Sequence, residues 1–334
     1  MGLVKPRLLG ARRFAAGVDI AARAVTLVVL SRRMFGAAPV RIEWLASAPL
    51  GKGATAGGGV VDRAAVVEAL RNVFGQLPRP CAAASMHCAM AVPTSATLVT
   101  TVPLAHLAPA ACGDEDASQI YAELEPLVLA EAERVVGIER HELAVDWRVA
   151  PAGYAAAGPR AGAAQVTIAA TARAQLEARI ECAAMAGITV CAVDDEAHAA
   201  LRAMRHAAAY ELPPDEPYVA LWIGAEGIHG WAMADDAVAR EMRFPALEHA
   251  DLVEALRELV RDEAAGCAIV SGEIGMLRGV HFTLADIGDV LGCPVLPFES
   301  AALADPDRPL PVGLADDPSC AVAFGLALRG VCES

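Results

Sequence analysis

The chain has 334 residues, 55% of them hydrophobic, with a formal net charge of −14 at pH 7. Alanine supplies much of the apolar fraction, and no run approaches the roughly 20 uninterrupted apolar residues of a spanning helix, so the composition points to a soluble protein of two lobes. An acidic excess of this size repels a phosphate backbone and argues against nucleic acid as a partner.

Lys5, Arg7, Arg12 and Arg13 precede the first acid, Asp19, but no apolar core and cleavage site follow as in a signal peptide. So few charges attract anionic lipid or an acidic partner only weakly. The expected location is the cytoplasm. Nine cysteines scattered from Cys81 to Cys332, without CxxC spacing and odd in number, fit reduced thiols and no metal site.

In chain order, GVDI and VTLVVL read as two strands of a hairpin broken at Ala21-Ala22-Arg23, and RIEWLASAPL continues in extended form. Gly51 to Gly59 reads as an irregular glycine-rich excursion. Asp62 caps a helix whose Val66, Val67, Leu70, Val73 and Phe74 share a face, ending before Pro78 and Pro80, and CAMAVP is a buried strand. A separate module follows: strand LVTTVPL, a helix through Glu131 to Val136, strands AVDWRV and QVTIAATA, and a closing helix Ala172 to Met185. The chain then returns through ITVCAVD and the helix Glu196 to Ala208, which carries His198 and His206 in packing or surface roles. ELPPDEP, with three prolines and three acids, is the clearest linker. Beyond it, YVALWIG and IHGWAMA read as paired strands, Leu252 to Arg261 as a helix, CAIVSG as a strand and Cys320 to Leu328 as a final helix packed on the second lobe. No repeated period stands out beyond alanine richness.

This order resembles the actin-like (ribonuclease H-like) α/β fold of the PilM and FtsA families. AVPTSATLVTTVPL at 91 to 104, Glu131-Ala132 with the strand of Asp146-Trp147, the long segment from AATARAQ to ALRA, and GLALR at 325 to 329 are similar to the type IV pilus PilM family in particular. The resemblance implies a first lobe of 15–95 plus 188–212, an inserted module of 96–187, and a second lobe of 213–334 that lacks most of its helical subdomain. One helix's worth of chain separates the Phe244-Pro245 region from Cys267.

Actin-like ATPases hold phosphates between two hairpin turns lined by glycine and hydroxyl residues, with acids that position magnesium. The degenerate counterparts here are Asp19, Ala21, Ala22 and Arg23 in the first turn and Gly224 in the second, where Trp222 stands in place of the magnesium-positioning acid. The adenosine loop becomes Ser271, Gly272 and Gly275, with the carboxylate of Glu273 between them. No catalytic set, cofactor or metal is therefore expected, and ATP with magnesium is retained only if this altered site still binds it. The family's role implies a cytoplasmic adaptor of type IV pilus biogenesis, peripheral to the inner membrane, that clasps the N-terminal cytoplasmic peptide of a PilN-like inner-membrane protein. Glu131, Asp146 and Trp147 are the candidate peptide contacts. An active or nucleotide-switched ATPase and the cytoplasmic component of a type II secretion system remain open alternatives.

Overall fold

A computed structural model describes residues 12–34, 39–82, 86–108, 117–150, 164–235, 237–244, 249–261, 264–301, 310–311 and 313–332. Lys5, Arg7 and Pro245 lie outside them.

The first lobe opens with strands β1 (Arg12–Ile20), β2 (Ala24–Arg33) and β3 (Arg41–Pro49). β4 (Thr55–Ala56) and β5 (Gly59–Val60) follow, then helices α1 (Arg63–Gly75) and α2 (Arg79–Ala82) and strand β6 (Met86–Val92). The segment from Gly51 to Gly59, expected to be irregular, holds the small hairpin β4–β5. Gly57 and Gly58 make its turn at positive φ, a region open to glycine at no steric cost. Asp62 caps α1 as expected, accepting from Ala65 N at 3.0 Å.

The inserted module comprises β7 (Thr97–Pro103), α3 (Leu104–Leu107), α4 (Ala117–Val136), β8 (Leu143–Ala150) and β9 (Gln165–Ala172). Its antiparallel sheet runs β7-β9-β8, and Leu124, Val128 and Ala132 of α4 pack on Val166, Ile168 and Ala170 of β9. Helix α5 (Arg173–Met185), expected to close the module, turns its face back to the first lobe, where Cys182 and Ala183 join Val66 and Leu70 of α1.

Strand β10 (Val190–Asp195) and helix α6 (Glu196–Glu211) complete the first lobe. The second lobe contains β11 (Tyr218–Gly224), β12 (Gly227–Ala234), β13 (Ala237–Phe244), α7 (His249–Leu259), β14 (Cys267–Gly272), α8 (Leu284–Leu291), β15 (Val295–Pro297) and α9 (Ala321–Cys332). α7 is the helix described between β13 and β14.

The two large sheets have the same topology. β10-β6-β1-β2-β3 and β15-β14-β11-β12-β13 each join three antiparallel strands to two parallel ones. The chain is thus a structural duplication, with α1 and α7, then α6 and α9, in matching places. Sequence period does not reveal it because the two copies share strand order and sense but not residues.

α9 does not settle on the second lobe alone, as its position in the chain suggested. It lies across β1 and against α6 of the first lobe. Glycine makes this possible: a Cβ at Gly17 would collide with the backbone of Ala323 and Ala327, and one at Gly325 with Ala199. Buried alanines of α6 and small residues of α9 let the two helices pass closely between the sheets. Their shared core takes Ala220, Trp222 and Ile269 from the second lobe and Val28, Leu30 and Ile42 from the first. Asp194, at the end of β10, ties the arrangement by accepting from Arg202 at 2.9 Å, with Arg329 of α9 at 3.3 Å.

Candidate functional site

The duplication creates a cleft of about 1030 Å³ between the lobes, lined by the β1–β2 turn, the β11–β12 turn and the segment after β14. Each sheet presents its hairpin turn at the same end, so topology alone aims both turns into one space. Of the residues singled out from the sequence, Asp19, Ala21, Ala22, Arg23, Gly224, Gly272 and Gly275 line this cleft. Ser271 does not: it is fully buried on the face of β14 turned to α6, where its Oγ donates to Met204 Sδ at 3.3 Å. Strand alternation explains the difference, since adjacent residues face opposite sides.

Gly272 is indispensable to the chain's path. At φ +89° it turns β14 across the end of β11, letting Glu273 N donate to Ile223 O at 2.8 Å, and a Cβ there would strike Ile223. Glu273 then reaches back over the cleft to Arg23, Oε2 to Nε 3.8 Å. Arg23 is therefore the exposed half of a tie between the lobes, weak as exposed pairs are. A second tie runs from Arg243 of β13, whose Nη2 donates to Thr94 O at 2.9 Å.

Trp222 decides the character of the second turn. Its indole folds over Gly224, with Cη2 2.6 Å from where a Cβ on that glycine would sit. The ring also packs on His229, centroid to centroid 5.5 Å. Burial, helped by Arg243, pushes the His229 imidazole down to about 4, so it is neutral at physiological pH. An apolar ring thus lies along the cleft wall at the second turn.

At the base of the first turn are three ionisable groups that sequence reasoning only half identified. Asp19 is 5% exposed, with Oδ1 lacking a hydrogen-bond partner. Arg179 of α5 is 1% exposed; its Nε donates to Ala91 O at 3.1 Å and its Nη2 to Gly58 O at 2.7 Å. Glu196, the first residue of α6, also lines the cleft. Burial pushes the Asp19 carboxyl up to about 7 against the pull of Arg179. It pushes Glu196 up to about 8, with Asp19 adding to the rise and Arg179 opposing it. Two carboxyls held toward their neutral forms thus lie in the field of one buried guanidinium. Arg179 sits within a plain helical stretch, and nothing local in the sequence marks it as buried.

Both carboxyls have folded values above their unfolded ones, so the native state holds protons that the unfolded chain has released. Stability is therefore highest near the ordinary carboxylate range and falls as pH rises through about 7 and 8. Chemical denaturation should show stability falling from the ordinary carboxylate range up to about pH 8. Asp19→Asn should flatten the slope, and an unchanged slope would show that Asp19 is not its source.

The three candidate peptide contacts do not converge. Glu131 is held by Arg134 of the same helix in a paired contact, at 2.6 and 2.8 Å. Trp147 packs against the module core, whereas Asp146, its neighbour on β8, is exposed on the other face and accepts from Trp147 N at 2.8 Å. The structure adds two residues to this region. Leu127 and Val135 are 39% and 40% exposed and flank Glu131 at one-turn spacing on α4, an apolar–acid–apolar stripe.

Among the described residues no group of three or more His, Cys, Asp or Glu could hold a metal, and no helix is long and apolar enough to cross a membrane. None of the eight described cysteines is in a disulfide.

The family profile of the type IV pilus assembly protein PilM matches residues 17–228. The chain belongs to the PilM family. Its fold also matches a solved structure described as a PilM-PilN type IV pilus biogenesis complex, with TM-score 0.67, 22% identity, and coverage of 95% of this chain and 98% of that one. A Bacteroides thetaiotaomicron protein with an actin-like ATPase fold is similar at TM-score 0.45 and 8% identity, covering 88% of this chain and 94% of its own. The ethanolamine utilization protein EutJ of Carboxydothermus hydrogenoformans is similar at TM-score 0.42 and 15% identity, covering 94% and 89%. No curated protein matches the chain by sequence. This PilM-family chain therefore has the actin-like fold and a role in type IV pilus assembly.

Proposed function

We propose that this PilM-family protein is a pilus-assembly adaptor that binds the cytoplasmic N-terminal peptide of a PilN-like inner-membrane protein and does not hydrolyse ATP. The observation that carries the second half is the Trp222 indole packed over Gly224, which removes an acid from the turn and narrows the approach to its backbone. Three features support the same reading. Ala21 and Ala22 bring side chains to the first turn, Glu273 sets a carboxylate in the third segment, and Arg23 is already drawn to Glu273. The residues present do not fit a magnesium-bound triphosphate.

The first half rests on the family and on the likeness to a PilM-PilN complex. An extended peptide gains affinity by pairing with a sheet edge while pockets read alternate side chains. β8 and β7 are the two edges of the module sheet, and β8 carries exposed Asp146. The α4 stripe of Leu127, Glu131 and Val135 offers apolar contact around an acid suited to a basic peptide. Such contact would hold the protein at the inner membrane through its partner.

Separate calorimetric titrations of the purified chain with magnesium-ATP and with the synthetic N-terminal PilN-like peptide test both halves. The expected result is heat with the peptide and none with the nucleotide. Tight ATP binding would sink the pseudoenzyme reading, and absence of peptide binding would sink the adaptor reading. Leu127→Asp with Val135→Asp should weaken the peptide about tenfold or more if the α4 stripe is the contact.

A further inference from the structure

Lys5, Arg7, Arg12 and Arg13 by themselves give weak attraction to anything anionic, but folding adds to them. β1 and β2 pair so that Arg12 lies opposite Arg33 and Arg13 opposite Arg32, while Arg41 of β3 pairs with Ser31. Five arginines from three adjacent strands therefore gather at one end of the first sheet. It is the end away from the cleft, since the Ala21–Arg23 turn caps the other.

Like charges directly opposite on a ladder destabilise it, and the fold tolerates two such pairs in succession. Alternation puts Arg12, Arg33 and Arg41 on one face and Arg13 and Arg32 on the other; Arg12 is turned inward, 20% exposed, with its Nε donating to Ser31 Oγ at 2.8 Å. Arg33 and Arg41 are exposed, and Met34, next to Arg33, is 55% exposed. Among the described residues Glu43 enters the group, accepting from Ser31 Oγ at 2.5 Å and facing Arg12 at 3.6 Å. Arg32 also points toward Cys332 Sγ, 3.8 Å away on the last turn of α9. The cluster stands out on a chain with net charge −14.

We propose that this arginine-rich end of the first lobe docks on an anionic lipid surface, its guanidinium groups meeting headgroup phosphates while Met34 enters the interface. The guanidinium fork matches phosphate oxygens better than an ammonium does. An exposed thioether among cations suits the boundary between headgroups and acyl chains. The site lies at the opposite end of the sheet from the cleft and outside the module, so it does not depend on the peptide reading. It would give a protein held by a membrane partner a second, direct contact with the bilayer.

Vesicle co-sedimentation of the full chain provides the test, using vesicles of phosphatidylcholine and of equal parts phosphatidylcholine and phosphatidylglycerol, with no peptide present. The expected result is binding to the anionic vesicles alone, weakening as salt screens the charges. Each arginine near an anionic surface is worth roughly a factor of five, so R33E/R41E should bind about 25-fold more weakly or worse. Arg261→Glu, in the second lobe, should bind as the unaltered chain does, and Met34→Asp should bind more weakly. If the double variant does not fold, Arg33→Gln, at an exposed position, should still show a loss of about fivefold. Equal binding to both vesicle types, or binding indifferent to Arg33 and Arg41, overturns the proposal. So does failure to bind either vesicle while heparin or an acidic protein is retained through Arg33 and Arg41.

Discussion

Arg179→Met is expected to lower the stability of the folded protein by about 3–5 kcal/mol, the usual cost of removing one member of a buried charged group. The guanidinium bonds to Ala91 O and Gly58 O, which both lose their donor, and its charge opposes the rise of both Asp19 and Glu196. Without it both carboxyls lose their opposing charge, so their values rise further and the pH at which stability declines moves up. Chemical denaturation at neutral pH reads the loss directly. Adding Asp19→Asn to Arg179→Met should recover part of it, because the two residues act on one another and their effects do not add. A loss below about 1 kcal/mol would mean that water, not Arg179, balances the carboxyls. The consequence extends to the cleft. Arg179 links α5 to β6 and to the β4–β5 hairpin, whose Gly57 and Gly58 form part of the cleft wall.

Gly325→Ala is the second large effect, with an expected loss of about 3 kcal/mol or more, at the upper end for overpacking. The added methyl would meet the backbone of Ala199, which cannot move like a side-chain tip. α9 would have to withdraw from α6, disturbing the Arg202 bond to Gly325 O at 3.2 Å and the core common to both lobes. Gly279→Ala is the matched control, since a Cβ there meets nothing within 4 Å, and its effect should stay within about 0.5 kcal/mol. If both substitutions cost the same, close passage of the helices is not what Gly325 provides. The Arg179 and Gly325 variants test different parts of the frame, one the base of a turn and the other the crossing that joins the lobes.

The candidate cleft shows how far residue patterns reach. The hairpins at Gly17 to Leu30 and Tyr218 to Ala234 were legible because β-branched runs with short breaks announce paired strands. Their turns could be compared one by one with those of actin-like proteins. Trp222 was legible as the residue standing where the resemblance leads one to expect an acid, but not as a ring over Gly224, since its direction depends on packing against His229 and α6. Ser271 was misplaced for the same reason, because one residue along a strand reverses the face. β13, α8 and β15 escaped notice: β13 alternates half-buried and exposed positions, α8 has only eight residues, and β15 has three.

The sequence by itself determined local matters: hairpin breaks, the Asp62 cap, the proline-rich linker, the altered turn residues and the order of elements that resembles the PilM family. Only the tertiary structure decided that the lobes are copies of one topology, that α9 returns to the first lobe, that Arg179 lies beneath Asp19, and that five arginines meet at one end of a sheet. The physical reason is separation along the chain. Caps, turns and alternation are set by neighbours within a few residues, whereas burial, charge pairing and close helix passage depend on segments that meet only when the sheets close around α6 and α9.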